Sequence, residues 1–264
     1  MTGQRRGPWV TSPRPRPDAD LRLYCLPYAG AGASAFRDWP EALDVLGSFE
    51  VAPIQYPGRE TRLREPPHID IDAMAAAVAA SIDRPYAVFG HSIGGRLAFE
   101  LCRRLRDLDA PPPVRLFASG CPAPQYPPTA IRDSDLPDDE FIARIEGMGS
   151  LPAEVVADPE LRELVLPVLR SDFAMVDDYI YLAQPPLPHP ISAFVGDADP
   201  EATEATAAGW QEQTTADFAL HVLPGDHFFL HSARSTLLTT VARELSAPTT
   251  LERIVESCRT TPSP

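Results

Sequence analysis

The chain has 264 residues, a hydrophobic content of 44% and a formal net charge of −14 at pH 7. This length is enough for one large α/β domain with an insertion, and the negative charge argues against nucleic acid as a partner. No apolar run approaches the length of a membrane span, and the N-terminus has no apolar signal region, so we expect a cytoplasmic protein without a membrane segment. The four cysteines are far apart and lack metal-type spacing, which fits a reducing compartment.

A loop of small residues follows the first predicted strand. The strand covers Leu21 to Leu26, and the loop reads Pro27-Tyr28-Ala29-Gly30-Ala31-Gly32-Ala33-Ser34. A dinucleotide-binding loop would need a third glycine in register after Gly30 and Gly32, and none follows. The better interpretation is a backbone donor loop for an oxyanion, which in one class of hydrolases lies after an early strand. It predicts that the N–H of Ala29 is one of two such donors.

Strands and helices alternate along most of the chain, which is typical of a mostly parallel sheet flanked by helices. After the first strand, we predict strands at Phe49 to Gln55, Tyr86 to Phe89, Val114 to Ser119, Ile191 to Val195 and Phe218 to Leu223, and helices at 35–46, 70–82, 93–105, 201–215 and 230–245. The α/β core is therefore expected to cover residues 21–124 and 190–247. Residues 1–20 are predicted to form a flexible N-terminal lead-in to the core, and residues 248–264 are predicted to form a C-terminal tail.

A nucleophile elbow is predicted in the middle of this core. The segment Gly90-His91-Ser92-Ile93-Gly94 has the pattern G-x-S-x-G and lies between a predicted strand and a predicted helix. Glycines suit the flanking positions because so sharp a reversal leaves no room for side chains. We therefore predict that Ser92 is a nucleophile and that the N–H of Ile93 is the second oxyanion donor. The alternative is a glycine-rich turn with an incidental serine.

A serine hydroxyl needs a base, and the base needs a group that orients it. An elbow of this kind is followed in chain order by an acid and then by a histidine, each in a loop after a strand. His227 lies just after the last predicted strand and is the best base among the six histidines. Asp197 and Asp199 both follow the preceding strand. We prefer Asp199, which lies further out on the loop, and expect Asp197 and Asp226 to brace their loops.

The pattern changes between residues 125 and 189, where prolines, acidic clusters and short predicted helices replace the strands. These helices are predicted at 138–148, 159–169 and 171–181. In an α/β domain, such a stretch is most simply a helical insertion that covers the carboxyl edge of the sheet, where ligands bind. Its apolar residues would then line a binding site, or they would only fill the small core of the insertion itself.

Five segments carry a family resemblance: Leu26-Pro27-Tyr28-Ala29-Gly30, Phe36-Arg37-Asp38-Trp39, Gln55-Tyr56-Pro57-Gly58-Arg59-Glu60-Thr61-Arg62, Gly90-His91-Ser92-Ile93-Gly94-Gly95 and Gly225-Asp226-His227-Phe228-Phe229-Leu230. Together they resemble a type II thioesterase, the stand-alone editing thioesterase of polyketide and nonribosomal peptide synthesis. The resemblance implies an α/β-hydrolase fold with a mobile helical lid over residues 125–189. It also supports Asp199 as the acid.

The resemblance implies an acyl-[carrier protein] thioesterase with a Ser92–Asp199–His227 triad. The substrate would be an acyl group in thioester linkage to the phosphopantetheine arm of an acyl or peptidyl carrier protein, and hydrolysis would remove aberrant or stalled acyl units. This chemistry needs no metal or redox cofactor, so we expect none. Carrier proteins are usually acidic, so a chain this negative needs a local basic or apolar patch for docking. We expect a monomer.

Other functions remain as alternatives. A chain-terminating fatty acyl thioesterase and a general carboxylester hydrolase would use the same three residues, whereas a non-catalytic binding module would not need them. The segment that contains Arg59 and Glu60 is the most specific part of the resemblance, and these two residues have two interpretations. Either they take part in an internal ion pair that fixes a loop, or they contact the substrate.

Overall fold

The computed structural model describes residues 9–127, 132–149, 151, 155 and 157–247. Its strands are β1 (Leu21–Leu26), β2 (Phe49–Pro53), β3 (Tyr86–His91), β4 (Leu116–Ser119), β5 (Ile191–Gly196) and β6 (Phe218–Leu223). They pair in parallel as a sheet in the order β2-β1-β3-β4-β5-β6. The predicted class, a mostly parallel sheet flanked by helices, is confirmed, and β1 and β6 have the predicted bounds.

The α-helices of the described chain include α1 (Trp39–Asp44), α2 (Ile71–Ala79), α3 (Ile93–Asp107), α4 (Asp138–Gly147), α5 (Pro159–Asp177), α6 (Glu204–Ala208), α7 (Phe229–Ser232) and α8 (Arg234–Leu245). Several are shorter than the sequence predicts, among them α2, which covers Ile71–Ala79 of the predicted 70–82. The helix predicted at 35–46 is reduced to α1, which begins with Pro40 in its first turn. The helix predicted at 201–215 starts only at Glu204, because the Asp199 carboxylate accepts two N–H groups of the preceding turn. None of the described helices is long and apolar enough to span a bilayer.

Successive residues of a strand face opposite sides of the sheet, and β1 shows how both sides are covered. Leu21, Leu23 and Cys25 belong to the same buried cluster as apolar residues of α1 and α8. Tyr24 and Leu26 belong to a second buried cluster, together with residues of α2 and α3. The helices therefore shield the sheet on both faces, and its carboxyl edge is left for the loops.

The insertion at 125–189 is helical in much of its described part, but its second half differs from the prediction. The helices predicted at 159–169 and 171–181 form the single helix α5, which continues through Pro167. A proline removes one backbone hydrogen bond from a helix. Here the following turn is anchored by the buried side chain of Asp172, and such tertiary contacts decide whether a helix persists.

The described part of the predicted lead-in is not loose, which corrects the expectation for these residues. Trp9 and Val10 are buried, and Val10 forms an antiparallel bridge with Ile54. The Arg62 guanidinium lies 4.4 Å from the centre of the Trp9 ring, in a cation–π contact. Thr11 and Arg16 also donate hydrogen bonds to backbone carbonyl oxygens of β2, so polar contacts as well as the aromatic anchor hold this segment, which has no periodic apolar pattern. The tail predicted at 248–264 lies outside the described residues.

The turn from β3 into α3 is sharp, and it is centred on Ser92. Its φ of 57° and ψ of −125° lie in a region that L-residues rarely adopt. A Cβ atom at Gly90 would lie 1.9 Å from the carbonyl oxygen of Gly94, and one at Gly94 would lie 2.2 Å from that of Leu26. The same Cβ atom at Gly94 would lie 2.6 Å from the carbonyl oxygen of Pro27, so the start of the loop after β1, the predicted donor loop, lies directly on the first turn of α3.

Gly94→Ala is expected to lower the free energy of unfolding by about 1–3 kcal/mol, because the added methyl group would overlap backbone carbonyl oxygens. Gly147→Ala is the matched control. Among the described residues, no atom outside the adjoining residues and the helix's own backbone lies within 4 Å of a Cβ atom added at Gly147, and alanine favours a helix over glycine by about 1 kcal/mol. Urea unfolding of both variants measures the difference. Equal effects would show that the close approach at Gly94 has no energetic importance.

Candidate active site

The structure brings Ser92, Asp199 and His227 together from the loops that follow β3, β5 and β6. The Nε2 atom of His227 lies 3.0 Å from the Ser92 Oγ atom, and its Nδ1 atom lies 2.9 Å from Oδ2 of Asp199. Both are hydrogen-bond distances. A neutral imidazole can accept the serine proton through Nε2 while it donates to the carboxylate through Nδ1. The arrangement can therefore activate the hydroxyl for attack on a carbonyl carbon.

The Asp199 carboxylate is held through both of its oxygens. Oδ2 faces His227, and Oδ1 accepts two backbone N–H groups of the following turn at 2.8 and 3.2 Å. The side chain is buried, so these contacts fix its orientation. Asp197 instead accepts the N–H of Gly225 at 2.9 Å, and Asp226 accepts the N–H two residues further along at 2.9 Å. Of the two candidate acids, the structure therefore places Asp199 on the imidazole.

The two predicted backbone donors, Ala29 and Ile93, line the same cavity as Ser92 and His227. Ile93 is the first residue of α3, and the first N–H groups of a helix have no intrahelical acceptor. Ala29 belongs to the donor loop, which contacts the first turn of α3 at Gly94. The structure therefore brings both residues to the cavity into which the Ser92 hydroxyl opens.

A buried ion pair anchors the donor loop to the insertion, and its carboxylate was not predicted. Asp172 of α5 is 1% exposed and accepts two hydrogen bonds from Arg59, at 2.6 and 2.9 Å. It also accepts the backbone N–H of Gly30 at 2.8 Å. Arg59 donates further to the carbonyl oxygens of Pro57 and Ala31. The residue that follows the predicted donor in the loop is thus hydrogen-bonded directly to the insertion.

Of the two interpretations of Arg59, the structure shows the internal ion pair, but the partner lies in the insertion. Glu60 has a separate role, since it accepts hydrogen bonds from the N–H and the hydroxyl of Ser34. The sequence does not predict the role of Asp172, because nothing distinguishes it from the other acidic residues of an amphipathic helix. The only available signal is the arginine in the family-specific segment, which needs a counter-ion when it is buried.

Ser92 opens into a cavity of about 260 Å³. Apolar side chains of the insertion form one wall of this cavity, among them Phe173 and Val176, and Cys121 contributes to another wall. The insertion also has a small apolar core of its own, made of Phe141, Ile145 and Leu169. Its apolar residues therefore serve both purposes that the sequence suggested, because they line the cavity and they stabilise the insertion.

A larger cavity, of about 540 Å³, lies next to the first one and shares Tyr28 and Ala29 with it. The rest of the donor loop and α5 contribute to its walls, and so do Arg37 and Arg234. The predicted oxyanion donor therefore lies at the boundary between two cavities. No cluster of His, Cys, Asp and Glu side chains able to hold a metal ion occurs among the described residues.

His91 lies buried beside the imidazole of the site. Its ring centre is 5.2 Å from that of His227, and its Nδ1 atom is 2.9 Å from the Ser119 Oγ atom. Burial lowers the pKa of His91 well below 6.5, and the proximity of His227 lowers it further. His91 is therefore neutral around pH 7, and it packs against the site without adding a charge to it.

A family model described as "Thioesterase domain" matches residues 21–247 of the chain. Among known proteins, the chain is similar to the gramicidin S biosynthesis protein GrsT of Aneurinibacillus migulanus. The two are 37% identical over 241 residues, which cover 90% of this chain and 93% of GrsT.

Two solved structures with closely similar folds belong to biosynthetic thioesterases. One is RedJ, a thioesterase from the prodiginine biosynthetic pathway in Streptomyces coelicolor, with 40% identity, a TM-score of 0.79 and coverage of 86% of this chain and 91% of RedJ. The other is BorB, the type II thioesterase from the borrelidin biosynthetic cluster, with 35% identity, a TM-score of 0.81 and coverage of 92% and 100%.

The free energy of unfolding is expected to fall below pH 6.5 by up to about 1.4 kcal/mol per pH unit through His91. The unfolded chain binds a proton there near pH 6.5, whereas the folded chain, with its lowered pKa, does not. This stabilisation is thus present above pH 6.5 and is lost as the pH falls towards the folded-state pKa. Urea unfolding between about pH 7.5 and 5 should give a smaller slope for His91→Gln than for the wild type. Identical slopes would contradict the prediction.

Asp172→Asn is expected to lower the free energy of unfolding by about 3–5 kcal/mol, because it leaves the buried Arg59 guanidinium without its counter-ion. Asp138→Asn is the matched control, since it removes an ion pair between an exposed carboxylate and Arg170 on the same insertion. Such surface pairs contribute about 0–1 kcal/mol. Equilibrium unfolding in urea compares the two variants, and similarly small losses would show that the buried pair is not an anchor.

Proposed function

The chain belongs to the thioesterase family, and from this premise we propose that it is an editing thioesterase of polyketide or nonribosomal peptide biosynthesis. In this proposal, it hydrolyses aberrant or stalled acyl groups from the phosphopantetheine arm of acyl or peptidyl carrier proteins. The observation that carries the proposal is the pair of hydrogen bonds that links Ser92 to His227 and His227 to Asp199. The named relatives, which come from biosynthetic pathways of this kind, support the choice of substrate.

In the proposed mechanism, the Ser92 oxygen attacks the thioester carbonyl carbon while His227 Nε2 takes the hydroxyl proton. Asp199 keeps Nδ1 protonated and stabilises the imidazolium that forms. The N–H groups of Ala29 and Ile93 donate to the oxyanion, and one such donor typically lowers the barrier by about 3 kcal/mol. His227 then gives its proton to the departing thiolate. This step releases the pantetheine thiol and leaves an acyl ester on the serine.

Water completes the cycle in a second half-reaction, in which water is the nucleophile and the Ser92 oxygen is the leaving group. His227 takes a proton from a water molecule, whose oxygen attacks the acyl ester, and the tetrahedral intermediate collapses when the proton returns to the Ser92 oxygen. One thioester and one water molecule thus give one carboxylic acid and one thiol. These steps use the side chains described here and water, and they need no cofactor.

The two neighbouring cavities suit a substrate with two arms. The acyl chain would lie in the smaller cavity, against the apolar wall of the insertion, and the pantetheine arm would lie in the larger one. The thioester carbonyl would then be at Ala29, where the cavities meet. Arg37 and Arg234 line the larger cavity, although Arg234 is paired with Asp38. They offer positive charge to the phosphate of the arm or to an acidic carrier protein.

Hydrolysis of short acyl groups from a phosphopantetheinylated carrier protein tests the proposal. The wild type should release the acyl group, Ser92→Ala should be inactive, and Asp199→Asn should lower kcat by roughly 10³–10⁴-fold, since the imidazole loses its orienting carboxylate. Asp197→Asn is the matched control on the same loop, and it should keep most of the activity. Release of free acid and of carrier thiol is followed by mass spectrometry of the carrier protein.

The same assay separates the alternative functions. Strong preference for long acyl chains would indicate a chain-terminating fatty acyl thioesterase, and faster cleavage of small free esters than of carrier-bound thioesters would indicate a carboxylester hydrolase. If correctly folded wild type cleaves neither carrier-bound thioesters nor free esters, the remaining alternative is a non-catalytic binding module. Loss of activity in Asp197→Asn but not in Asp199→Asn would show that Asp197, and not Asp199, is the acid of the triad.

We expect the active species to be a monomer, which sedimentation under assay conditions checks.

A further inference from the structure

A further cavity lies beside the smaller one and has no role in the proposed mechanism. Its volume is about 290 Å³, and it lies between α3 and the end of α5 together with the chain that follows α5. Its apolar wall includes Ile69, Leu97, Met175, Ile180 and Leu182. Ile180 and Leu182 are 78% and 65% exposed, so this side cavity opens to solvent at the end of α5.

Three side chains separate the side cavity from the smaller cavity. Ile93, Arg96 and Val176 line both cavities, and a residue that lines two neighbouring cavities lies at the boundary between them. Ile93 and Arg96 are buried, and buried side chains pack closely against their neighbours. These three residues therefore form a partition between the cavity of Ser92 and the side cavity.

The Arg96 side chain crosses this boundary from one cavity to the other. Burial raises the pKa of the Cys121 thiol, and the charge and a hydrogen bond of the Arg96 guanidinium lower it again, so Arg96 contacts a residue of the smaller cavity. Its guanidinium carbon lies 4.4 Å from the centre of the Tyr179 ring, and Tyr179 lines the side cavity. Cation–π stacking of this kind stabilises a desolvated guanidinium, which holds Arg96 across the partition.

Hydrogen bonds in turn hold the Tyr179 ring in place. Its hydroxyl donates to Oε1 of Glu100 at 2.7 Å, and the same oxygen accepts a hydrogen bond from Arg103 at 3.0 Å. Arg103 also donates to the carbonyl oxygen of Leu182 at 2.7 Å. Arg96, Glu100 and Arg103 lie on one face of α3 because they are four and seven residues apart. This face thus fixes both the partition and the chain that follows α5.

The polarity of the smaller cavity directs an alkyl chain towards the partition. The cavity is also lined by three carboxylates, Asp133, Asp177 and Glu201, which do not line the side cavity. An apolar chain placed against a carboxylate would displace its water without replacing it, which is costly. Ile93 and Val176 offer apolar contact instead. Arg96 follows Ser92 by about one helical turn, or about 5.4 Å along α3, so only a short chain fits before it meets the guanidinium.

We propose that Arg96, held by Tyr179, is a specificity-determining residue that ends the acyl-binding part of the smaller cavity and so limits the acyl group to short chains. The inference rests on the proposed function, because it concerns the acyl group attacked by the same serine. A longer chain has to displace a buried and stacked guanidinium before it reaches the apolar wall of the side cavity. The side cavity is therefore space for a longer chain that the partition keeps closed.

The first test measures hydrolysis of saturated acyl groups from acetyl to decanoyl, all on one carrier protein. In the wild type, kcat/KM should be highest for a short chain and fall by about 10-fold or more at decanoyl, the size of effect that one poorly fitting methylene can have. Arg96→Ala joins the two cavities and should move the maximum to longer chains. Arg104→Ala is the matched control on the same helix. Arg104 pairs with Asp72 and is not part of the partition, so this variant should keep the wild-type maximum.

A pair of variants at Tyr179 tests the partition with Arg96 in place, which keeps the inference testable if Arg96→Ala does not fold. Tyr179→Ala removes the ring on which the guanidinium stacks and should also move the maximum to longer chains. Tyr179→Phe keeps the ring but loses the hydrogen bond to Glu100, and it should keep a short-chain maximum. The same maximum in Tyr179→Ala and Tyr179→Phe overturns the inference.

A second test does not depend on turnover. Pantetheine analogues in which an amide replaces the thioester, with the same series of acyl chains, are titrated into Ser92→Ala and Ser92→Ala/Tyr179→Ala by calorimetry. Affinity should rise about 4-fold for each buried methylene, stop rising at a short chain in Ser92→Ala, and continue to rise in the double variant. This result supports the inference even if no carrier-bound thioester is cleaved, in which case only the proposed function fails. If short acyl groups are hydrolysed but both variants lose the gain at the same chain length, only the inference is overturned. A continuous rise to decanoyl in Ser92→Ala also overturns it.

Discussion

The Asp172 carboxylate is the point on which the geometry of the site depends. It accepts two hydrogen bonds from Arg59 and one from the backbone of the donor loop, so three separate segments of the chain meet at one buried group. A buried ion pair contributes little unless its remaining hydrogen-bonding groups are satisfied. Here Arg59 also donates to two carbonyl oxygens, so the pair acts as a specific clamp. The insertion therefore helps to shape the donor loop as well as covering the cavity.

The parallel sheet explains how residues so distant in sequence form one site. Loops after parallel strands emerge at the same edge, and neighbouring strands keep them about 5 Å apart. Ser92 follows the central strand β3, whereas Asp199 and His227 follow β5 and β6 at one side of the sheet. The loop after β1 approaches from the other side. A serine on a central strand is thus the natural meeting point for a base on one side and a backbone donor on the other.

The sequence predicted those features that local patterns determine. Alternating apolar runs located β1 and β6, and the strand–turn–helix context singled out Ser92. Features that depend on distant contacts were not predictable in this way. Two helices were predicted at 159–169 and 171–181, but α5 runs unbroken across the predicted gap, where the buried Asp172 side chain anchors it. Arg96 and Asp172 are charged residues in helices, which normally indicates a solvated face. Only the folded chain shows that both are buried, Asp172 with a counter-ion and Arg96 without one among the described residues.

The neutral state of His91 has a consequence for the electrostatics of turnover. In the proposed cycle, positive charge appears on His227 twice, once in each half-reaction. A second imidazole 5.2 Å away would repel that charge if it were protonated. Because burial keeps His91 uncharged, the neighbouring ring acts as a polarisable packing element that leaves the transient imidazolium undisturbed. In the proposed cycle, only one of these two neighbouring histidines therefore carries a proton in transit.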